Sequence, residues 1–146
     1  MSKQEFSHTF LLPVRWGDAD VLGHINNVQF VRYLESARVA YCEAVLDLPF
    51  VVGMTSGWIL ADMQCTYLQQ VHYPSDLEVL TRISKVGNKS VTIVADIYRQ
   101  GEDSPVISSK GIMVWFDYAG QQTTAVPDDI KAKISVFEKS VEGVIT

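Results

Sequence analysis

Residues 16–38 read WGDADVLGHINNVQFVRYLESAR, and two very different textures meet inside that stretch. Asp18, Asp20, Gly23, His24, Asn26 and Asn27 form a dense polar cluster. From Asn27 to Leu46 apolar residues then recur at steps of four and three, through Phe30, Leu34, Ala37, Tyr41 and Ala44 towards Leu48. That spacing predicts a long helix with one buried stripe. Arg32, Glu35, Arg38 and Glu43 fall off the stripe, onto an expected solvated face. Asn26 or Asn27 is the candidate N-cap, and Gln29 could complete a capping box with Asn26.

Upstream, HTFLLPVRW (8–16) reads as a first strand, placed at a sheet edge by its proline. Downstream the period changes to two. Strands are expected over 58–69, 76–86, 89–99 and 105–117, with Gly87 and Asn88 turning between the second and third of these. Val91, Ile93, Ala95 and Ile97 share one face, as in a half-buried strand. Pro127 opens a short final helix with Ile130, Ile134 and Phe137 on one side. One long helix followed by an antiparallel meander predicts an α+β domain over residues 1–146, its five-stranded sheet wrapped around the helix. Such a sheet covers one face with its own helix, so a homo-oligomer is expected.

Composition narrows the function. A net charge of −5 argues against a nucleic-acid surface, which needs clustered Lys and Arg. Hydrophobic content of 47% with 20% charged residues is that of a folded globular protein. Cys42 and Cys65 lack metal-type spacing and suit a reducing compartment. The opening MSKQEFSHTF lacks the apolar run of a signal peptide, and no stretch is long and apolar enough for a membrane span. The expected location is cytoplasmic.

The polar cluster admits three readings. As a calcium loop, DADVLG fits through Asp18, Asp20 and Gly23, but Leu22 and Gln29 stand where further ligands are required. Asp18, Asp20 and His24 alone make a poor transition-metal set, so no metal is expected. As a turn, Asp, Gly and Asn are ordinary strand-to-helix connectors, and Asp18 suits that role by accepting backbone N–H groups. As a catalytic site, the helix start offers unpaired N–H groups and a partial positive charge. Gly23 permits close backbone approach, and a carboxylate just upstream can attack a carbonyl or activate water against it.

VRWGDADVLGHINNVQFVRYLESAR resembles the signature of the hotdog-fold thioesterases, the 4-hydroxybenzoyl-CoA thioesterase and acyl-CoA thioesterase family. The likeness continues through CTYLQQVHYPSDLEVLTRISKVGNKSVTI and covers roughly residues 8–117. It implies a hotdog fold, hydrolysis of an acyl-CoA to free acid and CoA without a cofactor, and a homodimer or homotetramer whose sites are built by two subunits. It places the catalytic carboxylate on Asp20 and the oxyanion donor on the Asn27 backbone N–H, with Gly23 shaping the approach and His24 and Asn27 lining the site. The 4-hydroxybenzoyl-specific enzymes carry apolar or aromatic residues where this chain has His24 to Asn27, which favours the broader acyl-CoA group. Whether Asp20 acts as nucleophile or base stays open.

Substrate contacts are expected from Gly23, Asn26 and Phe30, with Trp58, Trp16 or Tyr33 as apolar candidates that could equally be core. Lys85 and Lys89, flanking the Gly87-Asn88 turn, are candidate phosphate contacts beside Arg82 and Lys110, or else solvated lysines of the sheet. Glu35 lies three residues before Arg38 and reads as half of a surface pair. Asp62 is a charge in an apolar strand, and His8 and His72 read as an exposed strand start and a loop residue. The competing functions are a hotdog hydratase or dehydratase using Asp20 and His24, and a non-catalytic acyl-thioester binding module.

Overall fold

The computed structural model describes residues 2–143. After a single 3-10 turn (Lys3–Glu5), strand β1 spans His8–Pro13. A second 3-10 turn (Trp16–Asp18) leads through the polar cluster into helix α1 (Asn27–Leu46). Strands β2 (Ser56–Tyr67), β3 (Asp76–Val86), β4 (Ser90–Arg99) and β5 (Ile107–Asp117) follow. The two-residue strand β6 (Gln122–Thr123), helix α2 (Asp128–Phe137) and a last short strand β7 (Glu142–Gly143) complete the chain. The strand order is β1-β3-β4-β5-β2, all antiparallel, with β6 beside β5 and β7 parallel to β3. This is the expected α+β arrangement, with two short strands added.

Helix α1 starts where Asn26, in extended conformation, accepts the Val28 N–H on its side chain at 2.9 Å. Gln29 joins through its backbone N–H to the Asn26 carbonyl, so the cap is an Asn turn rather than a reciprocal box. The helix stops at Asp47, which takes the left-handed conformation while the Leu48 N–H closes onto the Cys42 carbonyl. Phe30, Leu34, Ala37 and Tyr41 are buried as expected, but the line continues through Cys42 and Leu46. Ala44 is exposed and Leu48 lies beyond the helix, because a straight helix drifts off a seven-residue repeat.

Two cores lie under α1. One joins Phe30, Leu34 and Ala37 to Leu77, Val79, Ile97 and Ile107. The other joins Tyr41, Cys42 and Leu46 to Ile83, Ile93, Met113, Trp115 and the α2 residues Ile130 and Ile134. Phe137 is half-exposed, at the open end of the α2 stripe. Glu138, just past α2, is buried and accepts from the Tyr41 hydroxyl at 3.1 Å, the Ile83 N–H at 3.0 Å and the Ser7 hydroxyl. Strand β2 is paired on one side only, to β5, and a bulge between Leu60 and Asp62 bends it. Gly111 pairs with Met63 just past that bulge, where a Cβ would lie 3.2 Å from Leu60.

Two expectations about charge and exposure change. Arg38 is half-buried between helix and sheet, and Glu35 pairs with Arg32 at 3.1 Å instead. His8 is half-buried with its ring edge-on to Tyr41 at 5.7 Å, and burial lowers its pKa. Both arise because the curling sheet reaches further around the helix than a flat layer would.

Candidate active site

The polar cluster folds into a closed loop between β1 and α1. The Asp20 N–H donates to the His24 carbonyl at 2.8 Å and Gly23 N–H returns to the Asp20 carbonyl at 3.0 Å. Gly23 has φ of +82°, the left-handed region that L side chains seldom enter. Within this loop the two aspartates separate. Asp18 accepts the Arg15 N–H at 3.0 Å and the Tyr33 hydroxyl at 2.5 Å, so it ties the loop to the buried side of α1. Burial first, then this bond, raises the Tyr33 pKa well above its ordinary value. Asp20 uses Oδ1 to accept the Leu22 N–H at 2.9 Å and the His24 N–H at 3.3 Å. Its Oδ2 has no donor among the described residues.

Asp20, His24, Asn27 and Phe30 line one open groove of about 330 Å³ at the mouth of α1. The opposite wall is Tyr67, Leu68, Gln69 and Gln70, at the end of β2. Asn27 is the first helical residue, and its N–H has no acceptor among the described residues. Such an N–H carries the positive end of the helix dipole. Phe30 is buried beside the groove, edge-on to Tyr33 at 5.8 Å and to Tyr67 at 6.1 Å. Tyr67 donates its hydroxyl to the Asn27 carbonyl at 3.2 Å, bracing the strand against the helix start. A free carboxylate oxygen, an unpaired helix N–H and an apolar floor thus share one cleft.

The other expected residues are placed as follows. Gly23 and Asn26 shape the loop and cap without lining the groove. Trp58 is buried against Trp115 in the second core, outside the groove; its apolar strand setting was that of a core residue. Lys85 and Lys89 are exposed beside the β3–β4 turn. Pro13 pairs with Asp76 at the start of β3, so that turn lies at the opposite end of β3 from the Asp20 loop. Cations near the helix mouth are instead Arg15 and Arg32, in a separate groove of about 440 Å³ between β1 and α1. Trp16 is exposed, while Tyr33 is buried on Asp18. Asp62 is exposed on the β2 bulge, and Glu35 is exposed on Arg32.

His72 is not a free loop residue. It forms an antiparallel bridge with His24, the two rings lying edge-to-face at 4.6 Å, and its Nδ1 meets the Gly23 carbonyl at 3.3 Å. Asp18, turned to Tyr33, does not converge with Asp20 and His24. Among the described residues no group of three or more His, Cys, Asp or Glu side chains is disposed to hold a metal ion. The Tyr67–Gln70 wall was visible in sequence only as the end of a strand, since nothing local tells which loop a strand end will meet.

The model of the thioesterase-like superfamily matches residues 14–134, and the chain belongs to that superfamily. In structure it is similar to the PA2801 protein of Pseudomonas aeruginosa, 34% identical with a TM-score of 0.81 over 88% of this chain and 98% of that one. It is also similar to a thioesterase of Thermus thermophilus solved with coenzyme A and zinc, 26% identical, TM-score 0.78, over 92% and 96% of the two chains. These neighbours share the hotdog fold. The chloroplastic acyl-acyl carrier protein thioesterase ATL3 of Arabidopsis thaliana is 24% identical over 94% of this chain and 72% of its own length. An uncharacterized Bacillus subtilis protein, YsmA, is 31% identical over 62% of this chain, and the match spans 60% of its length.

Proposed function

We propose that this protein hydrolyses acyl-CoA, or a closely related acyl thioester, to the free acid and thiol. The observation that carries the reading is that Asp20 and Asn27 line one groove, with Asp20 Oδ2 and the Asn27 N–H both without a partner among the described residues. In this reading the thioester carbonyl oxygen rests on the Asn27 N–H, where the helix dipole stabilises the negative charge that develops on it. Asp20 either attacks the carbonyl carbon, expelling the thiolate and leaving an anhydride for water to cleave, or removes a proton from the attacking water. The Leu22 and His24 N–H groups hold the carboxylate through Oδ1 and leave Oδ2 for the reaction. His24, backed by His72, forms the groove wall next to it. The polar His24, Asn26 and Asn27 favour acyl-CoA over a 4-hydroxybenzoyl thioester, and coenzyme A bound to the Thermus relative supports a CoA ester.

The test is thiol release from a panel of acyl-CoA esters. Asp20→Asn should fold normally and lower kcat by about 10²–10⁴-fold, the range for loss of a positioned acid–base group, with KM little changed. Asp18→Asn is the control. It should lower stability by about 1–3 kcal/mol through its lost loop bonds while kcat stays within a few-fold. Turnover near wild type in Asp20→Asn would remove the catalytic reading. Hydration of an enoyl-CoA without thiol release would favour a hydratase, and tight binding without either reaction a binding module. The unpaired cysteines Cys42 and Cys65 support a cytoplasmic setting, and the open β2 edge supports a homodimer or homotetramer.

A further inference from the structure

The groove wall opposite Asp20 is a short span of chain, held at both ends and tied at its centre to the sheet. Tyr67 closes β2 and donates its hydroxyl to the Asn27 carbonyl at 3.2 Å. Four residues on, the Val71 carbonyl accepts the Ile25 N–H at 2.7 Å. Both end ties therefore run to the segment that carries Asp20 and Asn27. Leu68, Gln69 and Gln70 bridge between them, and all three line the groove. They lie beyond the last β2 pair, Tyr67 with Ile107, where regular sheet pairing no longer fixes the chain.

The central ties come from β4 and from the chain entering β5. The Leu68 and Gln69 N–H groups share the Val106 carbonyl, at 2.9 and 3.2 Å. Arg99, the last residue of β4, reaches past the start of β5 and donates twice, to the Gln69 side-chain oxygen at 2.9 Å and to the Gln70 carbonyl. The Gln69 amide donates in turn to the Pro105 carbonyl at 3.1 Å, so both polar atoms of that side chain are engaged. The Arg99 side chain is 26% exposed, and the Glu102 carboxylate at 3.7 Å is itself largely in water. An exposed partner at that distance contributes little. A guanidinium that grips two oxygens with its rigid fork fixes both their distance and their direction.

Resting on the thioesterase reading, we propose that Arg99 is a positioning residue for the substrate. It sets where the wall of residues 68–70 stands across the groove from Asp20 and Asn27, and so how firmly a bound acyl thioester is gripped. Arg99 does not itself line the groove and acts through Gln69 and Gln70. The wall touches parts of the substrate that do not change as the carbonyl becomes tetrahedral. Its displacement therefore weakens ground state and transition state alike, and the effect falls on binding rather than on the chemical step.

The experiment measures hydrolysis of octanoyl-CoA in wild type, Arg99→Met and Arg99→Lys, beside calorimetric binding of the uncleavable thioether S-octyl-CoA. Arg99→Met should raise KM and the thioether Kd each by at least about fivefold, with kcat within about twofold of wild type. Arg99→Lys should fall between, because an ammonium keeps the charge but not the fork. A merely structural role has another signature: a lower melting temperature and fewer active molecules, which scale kcat down and leave KM and Kd as in wild type. That result overturns the proposal, and so does a loss confined to kcat in fully folded protein. Gln69→Ala should raise KM less in the Arg99→Met background than in wild type, and additive effects count against the tether. Thioether binding that Arg99→Met weakens supports the tether even where no thiol is released, a result that would overturn the thioesterase reading instead. Absence of thioether binding in wild type overturns both. Should Arg99→Met not fold, Arg99→Lys and Gln69→Ala are measured the same way, with raised KM and Kd expected in both and wild-type values in both overturning the proposal.

Discussion

Asp18 and Asp20 are two residues apart and do different work, and the difference lies in what each carboxylate bonds and which groove it lines. Asp18 gives one oxygen, Oδ2, to the Arg15 amide and the Tyr33 hydroxyl and lines the groove between β1 and α1, whereas Asp20 gives Oδ1 to its own loop and lines the groove it shares with Asn27. A third aspartate shows the cost of having too few partners. Asp96 is buried on β4, its Oδ1 has no partner among the described residues, and burial raises its pKa above the ordinary 3.8. The fold therefore holds this proton more tightly than the unfolded chain does, and stability falls as pH rises above 3.8 through the raised value. Asp96→Asn should raise the melting temperature at neutral pH, with the gain shrinking towards zero below pH 3.8, as followed by thermal unfolding across pH. The two roles in the cluster were legible because turn and helix-start chemistry are local. Arg38 was misread because periodicity sorts residues by helix face, while the depth of each face depends on how far the sheet curls.

At the scale of elements, α1 was readable nearly to its last residue, because its cap, its stripe and the left-handed Asp47 are all written within a few positions. Strands β2 to β5 were found within two residues for the same reason, whereas β1 ends at Pro13, three residues short of the expected end. What no local pattern disclosed is the joint where Glu138 receives α1, β3 and the chain before β1 on one carboxylate. Those donors lie far apart in sequence, so nothing near residue 138 announces them. Glu138→Ala would leave the Tyr41 hydroxyl and the Ile83 N–H buried without acceptors. A loss of about 1–3 kcal/mol for each group is expected, read from urea unfolding midpoints. A change below about 0.5 kcal/mol, the noise of a surface substitution, would mean water replaces the carboxylate.

The whole molecule leaves one long strand half-used. Strand β2 presents Ile59, Leu60 and Tyr67 at an edge that no described segment covers, and Tyr67 with Leu68 just beyond it also forms a wall of the groove. An open apolar edge of this kind favours pairing with a second copy. Sedimentation at micromolar concentration should show a dimer or larger species; a stable particle of 16.3 kDa would contradict the assembly and leave the groove with only its own wall.

The same strand order has a consequence while the protein is being made. β2 leaves the ribosome before β3 and β4, yet its neighbour in the sheet is β5, which emerges only after both of them. At synthesis rates of about 5–20 residues per second, that interval is a matter of seconds. For that time the nascent chain trails a nearly complete strand with no neighbour on either side. A holdase that recognises extended apolar segments would find its binding site there, and slowing translation over β3 and β4 should lengthen its stay.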